Sequence, residues 1–417
     1  GTVGANKNSI KIIGDHTDLY SQAYFAYDSK KSGGVTRSHL RFSPEPIRST
    51  YLVTQADFVA CSLDTYVEKY DMLSSLKENG TFLLNTTKSV EALVEYLPNS
   101  FKAELAKKNA KFYIIDATSL AREIGLGNRT NTIMQSAFFK LNEQIMPYEK
   151  AQELMKKYAA KTYGRKGEAI VQLNYQAIDK GAEGLIEVEV KQEWANLPVE
   201  EKAVVEDRPH FVKTIADPVN NIKGYDLPVS AFTGYEDGTM ANGAAAYEKR
   251  GIANFVPTWD AEQCIQCNQC AFVCPHATIR PFLLTDEELE NAPEIVKNDV
   301  KDAVGPTVKG LKFRLQVSPR NCVGCGLCVT ECLANKTGKN ALEMVEAKSQ
   351  FDQEEGATYL YKHVEYKEGK FPVTTVKGVS FLMPYMEISG ACAGCGETPY
   401  AKLVTQLFGD RMYVANA

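Results

Sequence analysis

The sequence has no run of about eighteen apolar residues, so no segment is long enough to cross a membrane as a hydrophobic helix. It also has no excess of positive charge, because 47 Lys and Arg residues face 52 Asp and Glu residues and the formal net charge is −5. That balance excludes a globally basic nucleic-acid-binding protein. A signal-peptide pattern is absent as well, and clustered cysteines without one indicate metal binding in a reducing compartment, for which we expect the cytoplasm.

The composition, 44% hydrophobic and 24% charged residues in a chain of 417, is that of a globular protein with about two to four domains. We predict an α/β multidomain fold. Helices alternate with strands in residues 1–205, which predicts a Rossmann-like α/β domain with a mostly parallel sheet. Residues 206–253 are rich in Pro, Gly, Asn and Asp and predict a small irregular domain. A cysteine-bearing α+β domain at 254–350, a charged connector at 351–371 and the start of another α/β unit at 372–417 complete the prediction.

Several local elements are also predicted from hydrophobic periodicity. In the first domain, a strand at Phe58–Ser62 is followed by an amphipathic helix over Val67–Lys77. Near the other end, a helix covers Thr398–Leu407, and Arg411–Ala417 resembles a strand with nothing after it to cover it. Because the chain also opens on Gly1 without Met, we expect it to be an internal piece of a longer polypeptide.

Eight of the eleven cysteines form two runs with the same spacing, C-x2-C-x2-C-x3-C. This spacing is typical of proteins that hold two [4Fe–4S] clusters, in which the fourth cysteine of each run binds the cluster of the other run. We therefore assign one cluster to Cys264, Cys267, Cys270 and Cys332, and a second cluster to Cys322, Cys325, Cys328 and Cys274.

Two all-cysteine zinc sites are the alternative, but zinc sites usually pair two separated C-x2-C elements and need no third cysteine at the same spacing. Pro275 follows the first run and turns the chain away, whereas Leu333 takes that place in the second run. His276 is predicted to lie near the clusters or at the surface without binding iron, because eight thiolates already complete both sets. Cys61, in an apolar strand, is predicted to be a small core residue.

A further C-x2-C pair, Cys392 and Cys395, lies in the segment Cys-Ala-Gly-Cys-Gly-Glu-Thr-Pro-Tyr. Such a pair is a redox disulfide, half of a metal site or a structural element. A thioredoxin-like pair would open a helix, for which Gly394 and Gly396 are poor residues. Half of a metal site is therefore favoured.

Two glycine-containing turns carry lysines. The first, at residues 1–7, includes Thr2 and Lys7 and leads into a predicted helix, whose free N–H groups favour a phosphate. The second, Lys-Lys-Ser-Gly-Gly at residues 30–34, offers two lysines and a hydroxyl to an anion. A solvated turn explains this second pattern equally well.

These segments together resemble the pyruvate:ferredoxin (flavodoxin) oxidoreductase family of thiamine-dependent enzymes. The resemblance rests on residues 1–7, on Tyr-Asp-Ser-Lys-Lys-Ser-Gly-Gly-Val-Thr at 27–36, on the cysteine runs, and on Gly-Ala-Cys-Ala-Gly-Cys-Gly-Glu-Thr-Pro-Tyr at 390–400. It covers nearly the whole chain. It implies a coenzyme-A-associated α/β domain, a linker domain, a two-cluster ferredoxin-like domain, and the start of a thiamine-diphosphate-binding domain.

In that family, the implied reaction converts pyruvate and coenzyme A to acetyl-CoA and CO2 and passes electrons through three [4Fe–4S] clusters to ferredoxin or flavodoxin. The resemblance implies that Cys392 and Cys395 are ligands of the third cluster and that Glu397 lies near thiamine diphosphate, which is bound with Mg2+. It also implies a homodimer of the full-length enzyme, without nucleic-acid or membrane partners, and a chain that is inactive alone. For coenzyme A it suggests four residues: Thr2, Lys7, Lys30 and Lys31.

Two other functions stay open. A non-catalytic, ferredoxin-type electron-transfer module explains the two cysteine runs but not the segment around Cys392. A related 2-oxoacid oxidoreductase with another substrate, such as 2-oxoglutarate, is disfavoured by the organisation of the chain, because the family's other members are commonly split into subunits.

Overall fold

The structure is a computed structural model that describes residues 3–50, 52–199 and 208–415. These residues form two compact units. The first unit holds the described residues within 1–27, 35–206 and 221–223, and the second holds those within 28–34, 207–220 and 224–417. Residues 28–34 therefore group with the second unit, although they lie inside the segment predicted as the first domain. The five-part division of the chain stays a prediction.

Within its described residues, the first unit contains six strands and eight α-helices. The strands are β1 Tyr20–Tyr27, β2 Thr36–Ser43, β3 Ala56–Cys61, β4 Leu76–Asn85, β5 Lys111–Ile115 and β6 Ile186–Val188. The helices are α1 Val3–His16, α2 Tyr66–Lys69, α3 Val90–Tyr96, α4 Asn99–Lys107, α5 Ala117–Ile124, α6 Asn131–Leu141, α7 Tyr148–Tyr163 and α8 Glu168–Glu183.

The central sheet of the first unit has the strand order β3-β4-β5-β6. The pairs β3–β4 and β4–β5 are parallel, whereas the short β6 pairs with β5 in the antiparallel direction. The remaining strands, β1 and β2, form a separate antiparallel hairpin. The α/β class predicted from the sequence is confirmed, with a largely parallel sheet that carries one antiparallel edge strand.

Alternate residues of β4 face opposite apolar layers, as the two-residue period of a strand requires. Phe82 and Leu84 pack among residues of α3 and α4, and the ring centroids of Phe82 and Phe101 are 5.3 Å apart. Leu83 packs on the other side, with residues of α5, α6 and α8. Cys61 lies buried in the first of these layers, as predicted for a core cysteine.

The helix predicted over Val67–Lys77 is wrong. Helix α2 ends at Lys69, and strand β4 already begins at Leu76. Between them, the side chain of Asp71 accepts a hydrogen bond from the N–H of Ser74 at 3.0 Å. Because this local bond offers the backbone an alternative to helical bonding, it favours a turn at this point.

Within its described residues, the second unit contains five strands and nine α-helices. The strands are β7 Phe255–Trp259, β8 Ile279–Leu284, β9 Lys301–Asp302, β10 Lys312–Val317 and β11 Leu342–Glu346. The helices are α9 Asp217–Asn220, α10 Gln269–Val273, α11 Asp286–Glu290, α12 Glu294–Lys297, α13 Leu327–Thr330, α14 Leu333–Lys336, α15 Gln353–His363, α16 Val376–Val379 and α17 Thr398–Phe408.

The cysteine-bearing part of the second unit is a duplicated arrangement. In each half, a strand leads into a cysteine run, a short helix lies within the run, and a second strand follows: β7, α10 and β8, then β10, α13 and β11. Strand β7 pairs antiparallel with β11, and β8 pairs antiparallel with β10. Each sheet therefore contains strands from both halves, in agreement with the predicted α+β ferredoxin-like fold.

The last part of the described chain agrees only partly with the sequence. The predicted helix is present as α17, but the strand predicted over Arg411–Ala417 is wrong in its described part, since residues 412–415 have no regular secondary structure and Tyr413 is fully exposed. Residues 416 and 417 lie outside the described residues. A strand forms by pairing with a neighbour, and no strand in the described ranges pairs with this segment. In the described part of the chain, no helix combines the length and apolar character that crossing a membrane requires.

Gly181 supplies a test of the first unit, because it lies where α8 packs against α6. An added Cβ would overlap the carbonyl oxygen of Ile133 and lie 2.7 Å from the Cβ of Ser136. Gly181→Ala is therefore expected to lower the free energy of unfolding by about 1–3 kcal/mol, in spite of the higher helix propensity of alanine. Gly164→Ala is the matched control, since nothing lies within 4 Å of its added Cβ. Denaturation midpoints followed by circular dichroism compare the two variants, and equal midpoints would contradict the close contact.

Candidate metal centres

The first cavity of the second unit is lined by cysteines from both runs. Cys264, Cys267 and Cys270 come from the first run and Cys332 from the second, and the cavity has a volume of about 330 Å³. Apolar side chains complete its wall: Trp259, Phe313, Leu315 and Leu342. The structure thus brings together the four cysteines that the spacing assigned to one cluster.

The second cavity has the reciprocal composition. Its cysteines are Cys322, Cys325 and Cys328 of the second run and Cys274 of the first, and its volume is about 350 Å³. Further wall residues are Pro257, Thr278, Ile279 and Leu327. Three thiols from one run and a fourth from the other surround each cavity, which is the crossed arrangement that the sequence predicted.

The backbone of each run bends toward its first sulfur in the same way. Gln266 and Gly324, which directly precede the second cysteine of their runs, have φ angles of 56° and 70°. Their N–H groups donate to the Sγ atoms of Cys264 and Cys322, each at 3.4 Å. Hydrogen bonds to cysteine sulfur are one means by which a protein sets the reduction potential of a cluster.

After these bends, the backbones of the two runs continue with similar conformations. Asn268 and Gly326, which directly follow the second cysteine, both have left-handed φ angles, of 61° and 74°. The fourth cysteines have nearly the same conformation, with φ and ψ of −65° and 116° at Cys274 and −63° and 114° at Cys332. Leu333, in place of the proline of the first run, therefore leaves the fourth cysteine in the same conformation.

Burial in apolar surroundings shifts the pKa values of cysteine thiols that line the two cavities. It raises the pKa of Cys322 to about 12 and raises those of Cys270 and Cys328 well above the ordinary cysteine value. Cys274 differs, because burial opposes ionisation there but the positive charge of Lys402 and several hydrogen bonds outweigh it and lower the pKa. The deprotonated thiol is the form that binds metal, so ligation in these cavities requires a cation that compensates for burial.

The remaining pair, Cys392 and Cys395, lies in a loop ahead of α17. Cys392 is exposed, and the N–H of Cys395 donates to its carbonyl oxygen at 3.1 Å. Gly394, directly before the second cysteine, has a φ of 70°, as left-handed as the equivalent position in both runs. A backbone hydrogen bond from Thr398 is the largest of several interactions that lower the pKa of Cys395. The pair thus shares the local backbone geometry of the runs and does not open a helix as a thioredoxin-like pair would.

This third cysteine loop, residues 388–396, lies against the second cavity. A Cβ placed on Gly394 would lie 3.7 Å from the Cβ of Cys325, which lines that cavity. His276 is buried in the wall of the same cavity, and its Nδ1 lies 3.2 Å from the carbonyl oxygen of Ser389. Its own carbonyl accepts a hydrogen bond from the N–H of Ile388 at 2.8 Å. His276 therefore connects the second cavity to the third cysteine loop, a role that the sequence did not indicate.

The loop at residues 28–34, interpreted from the sequence as an anion-binding turn, also contacts the third cysteine loop. The N–H of Lys31 donates to the carbonyl oxygen of Gly390 at 2.8 Å, and the N–H of Ala393 donates to Oγ of Ser32 at 2.8 Å. The partners of the second bond are 361 positions apart. No local sequence pattern could have revealed this contact.

The residues suggested for coenzyme A have different environments. Thr2 lies outside the described residues. Lys7 is exposed on α1 of the first unit, and Lys31 is exposed in the second unit. The ammonium of Lys30, by contrast, lies 3.4 Å from the carboxylate of Glu248. Since that carboxylate already neutralises Lys30, Lys7 and Lys31 are the better candidates for a phosphate group.

The donor set of the two cavities fits iron–sulfur clusters. Within the described ranges, no group of three or more His, Cys, Asp or Glu side chains converges on the position of a single metal ion. Four thiols instead surround each cavity, with an N–H donor at one of the sulfurs. Such a set matches the ligands of a [4Fe–4S] cluster. Glu397, the residue expected near thiamine, is exposed and directly precedes α17.

Known proteins match the chain over its whole length. Residues 1–184 match the family described as pyruvate ferredoxin/flavodoxin oxidoreductase, residues 199–253 a domain of unknown function, and residues 263–336 the 4Fe-4S dicluster domain. Over 417 residues, the chain is 51% identical to the pyruvate:ferredoxin oxidoreductase of Moorella thermoacetica and 51% identical to the pyruvate-flavodoxin oxidoreductase of Klebsiella pneumoniae. It is 45% identical over 446 residues to the NADP(+) pyruvate dehydrogenase of Cryptosporidium parvum. All of the chain is matched in each case, but it spans only 35% of the first two relatives and 22% of the third.

These matches define the class of the chain's relatives, which are named as oxidoreductases, and they include a 4Fe-4S dicluster domain. More particularly, the chain belongs to the pyruvate:ferredoxin/flavodoxin oxidoreductase family, as its sequence motifs predicted. The dicluster match over the two cysteine runs favours iron–sulfur clusters over the alternative of two zinc sites.

Two glycines of the second run test the backbone geometry. Gly326→Ala places a side chain at a φ of 74° with nothing within 4 Å, so only the left-handed conformation is penalised, by about 1–2 kcal/mol. Gly324→Ala has the same conformational cost, and its Cβ would also lie 2.8 Å from the carbonyl oxygen of Phe255. We expect faster loss of visible iron–sulfur absorbance in the presence of a chelator for Gly324→Ala than for Gly326→Ala. Equal rates would contradict the close approach of the backbone at Gly324.

Proposed function

We propose that this chain is the coenzyme-A-associated and electron-transfer portion of an enzyme that oxidatively decarboxylates pyruvate. The overall reaction converts pyruvate and coenzyme A to acetyl-CoA and CO2 and passes two electrons to ferredoxin or flavodoxin. The contact of the third cysteine loop with the second cavity carries the proposal, because it gives the chain a continuous series of three cysteine sites. The similarity to enzymes named for this reaction supports the choice of substrate.

The ligand assignment is part of this proposal. Cys264, Cys267, Cys270 and Cys332 hold one [4Fe–4S] cluster, Cys322, Cys325, Cys328 and Cys274 hold another, and Cys392 and Cys395 contribute to a third. When bound, these clusters supply one-electron redox chemistry. The protein places the cysteines, donates hydrogen bonds to their sulfurs, and surrounds them with apolar side chains that limit access of water.

The arrangement of the cysteine-bearing elements supports an order for the three sites. Gly394 of the third cysteine loop approaches Cys325 of the second cavity. Helix α10 then joins the two cavities, because Cys270 within it lines the first cavity and Cys274 directly after it lines the second. We therefore place the second cavity in the middle of the series and the first cavity at its outer end.

The other partners follow from the same proposal. Thiamine diphosphate with Mg2+ would supply the decarboxylation chemistry, and exposed Glu397 is the candidate residue near it. Exposed Lys7 and Lys31 are the candidate contacts of coenzyme A, and Thr2 and Lys30 remain weaker candidates. The complete enzyme is a homodimer.

A non-catalytic electron-transfer module remains the second candidate function. The eight cysteines of the two runs support this module as well as they support the enzyme.

The crossed ligation can be tested by counting iron. The reconstituted chain is expected to bind about eight irons in two clusters. If Cys264 and Cys332 bind the same cluster, the double variant Cys264→Ser/Cys332→Ser loses only that cluster and retains about four irons. If each run binds its own cluster, the same double variant damages both clusters. The matched control is Cys264→Ser/Cys274→Ser, which damages both clusters only when ligation is crossed.

The activity can be tested in a chimera, in which this chain replaces the matching segment of the Moorella thermoacetica relative. We expect pyruvate- and coenzyme-A-dependent reduction of ferredoxin, and about twelve irons per polypeptide from three clusters. Cys392→Ser should remove about four irons and lower the rate at least tenfold, whereas Cys61→Ser, at a core cysteine, should leave the iron content unchanged. A chimera whose iron content does not depend on Cys392, and which gives no pyruvate-dependent reduction, would support the electron-transfer module. Reduction with 2-oxoglutarate in place of pyruvate would contradict the proposed substrate.

A further inference from the structure

Lys402 on helix α17 is a buried lysine whose ammonium group points at the backbone beside the cysteine cavities. It is 3% exposed. Its Nζ donates to three carbonyl oxygens at the end of helix α10, those of Ala271 at 2.6 Å, Phe272 at 2.9 Å and Cys274 at 2.8 Å. The last turn of a helix leaves carbonyl groups without helical partners, and Lys402 satisfies them.

The number of acceptors indicates that Lys402 is protonated. An ammonium group has three N–H donors, whereas a neutral amine has two, and the three carbonyl oxygens use all three donors. Lys402 is thus a buried cation whose three hydrogen bonds all go to backbone carbonyl oxygens.

Lys402 contacts the end of helix α10, a segment that contributes cysteines to both cavities, but its direct hydrogen bond to a cysteine is to one that lines the second cavity. Cys274, whose carbonyl oxygen accepts from Lys402, lines the second cavity, and Cys270 of the same helix lines the first. One hydrogen bond from Nζ goes to the carbonyl oxygen of Cys274 itself, whereas the other two go to Ala271 and Phe272. The other strong positive charge nearby, Arg280, is paired with the carboxylate of Glu387, which offsets its field.

We infer that Lys402 raises the reduction potential of the cluster held in the second cavity. Adding one electron makes a cluster more negative by one charge, and a nearby fixed cation stabilises the reduced form more than the oxidised form. Burial strengthens this effect, because water does not screen the charge. Lys402 therefore acts through its charge on the reduction potential of the cluster. This inference rests on the ligand assignment proposed above.

The experiment uses the complete reconstituted chain in the Cys264→Ser/Cys332→Ser background, which leaves only the cluster of the second cavity. Lys402→Met and Lys402→Gln remove the charge, and Lys402→Arg retains it. Reductive titration followed by electron paramagnetic resonance gives the potential of the cluster. We expect both neutral variants to lower the potential by at least the 59 mV that corresponds to a tenfold change in a one-electron equilibrium, and Lys402→Arg to shift it by less. Lys336→Met is the control, because Lys336 is a surface lysine paired with Glu331 and should not affect the potential.

The outcomes separate the inference from the proposed ligation. An unchanged potential in both neutral variants, with about four irons bound, would overturn the inference and leave the ligation intact. Loss of iron in both neutral variants, with retention in Lys402→Arg, would also overturn it, because Lys402 would then be needed for assembly and not for tuning. Absence of a cluster from the double-cysteine background itself would instead contradict the ligand assignment.

Discussion

The second unit depends on one constraint: each cavity receives its fourth cysteine from the other run. Cys332 must reach the cavity of the first run and Cys274 that of the second, so neither half can build its site alone. The strand pairs β7–β11 and β8–β10 meet the same requirement, since each joins one half to the other. The segment between the halves contains β9, α11 and α12, and it contacts the first run, because the side chain of Gln266 donates to the carbonyl oxygen of Asp302 at 2.8 Å.

Burial of the thiols links the stability of this unit to its metal content. Apolar walls that raise the pKa of Cys322 and Cys328 keep these thiols protonated, and protonated thiols are poor ligands. Iron supplies the positive charge that makes the thiolate favourable inside the cavity, so metal binding and folding contribute to the same free energy. Lys402 supplies part of that charge permanently at Cys274, the one run cysteine whose pKa is lowered below its usual value among those for which a shift is resolved.

The sequence predicts well those features that depend on spacing along the chain. The crossed sets of cysteines, the parallel sheet and helix α17 follow from short-range patterns, and Cys332, although Leu333 follows it in place of proline, has the backbone conformation of Cys274. Prediction fails where a single side chain decides the local structure, as Asp71 does when it favours a turn in place of the helix over Val67–Lys77. It also fails where the partner is remote in sequence. The burial of Lys402 against α10 and the bond between Ala393 and Ser32 join residues more than a hundred positions apart, and no periodicity encodes such pairs.

The third cysteine loop shows why these remote contacts matter. Cys392 and Cys395 repeat the local geometry of the runs, including the left-handed residue before the second cysteine, but local geometry does not decide where the loop lies. Its position is fixed by His276, which extends the wall of the second cavity, and by Lys31 and Ser32 of the loop at residues 28–34. The same His276 follows Cys274 of the second cavity by two residues, so it connects the third cysteine loop directly to the wall of that cavity. In the proposed series of three sites, these hydrogen bonds would fix the position of the third cysteine loop against the second cavity without adding a ligand.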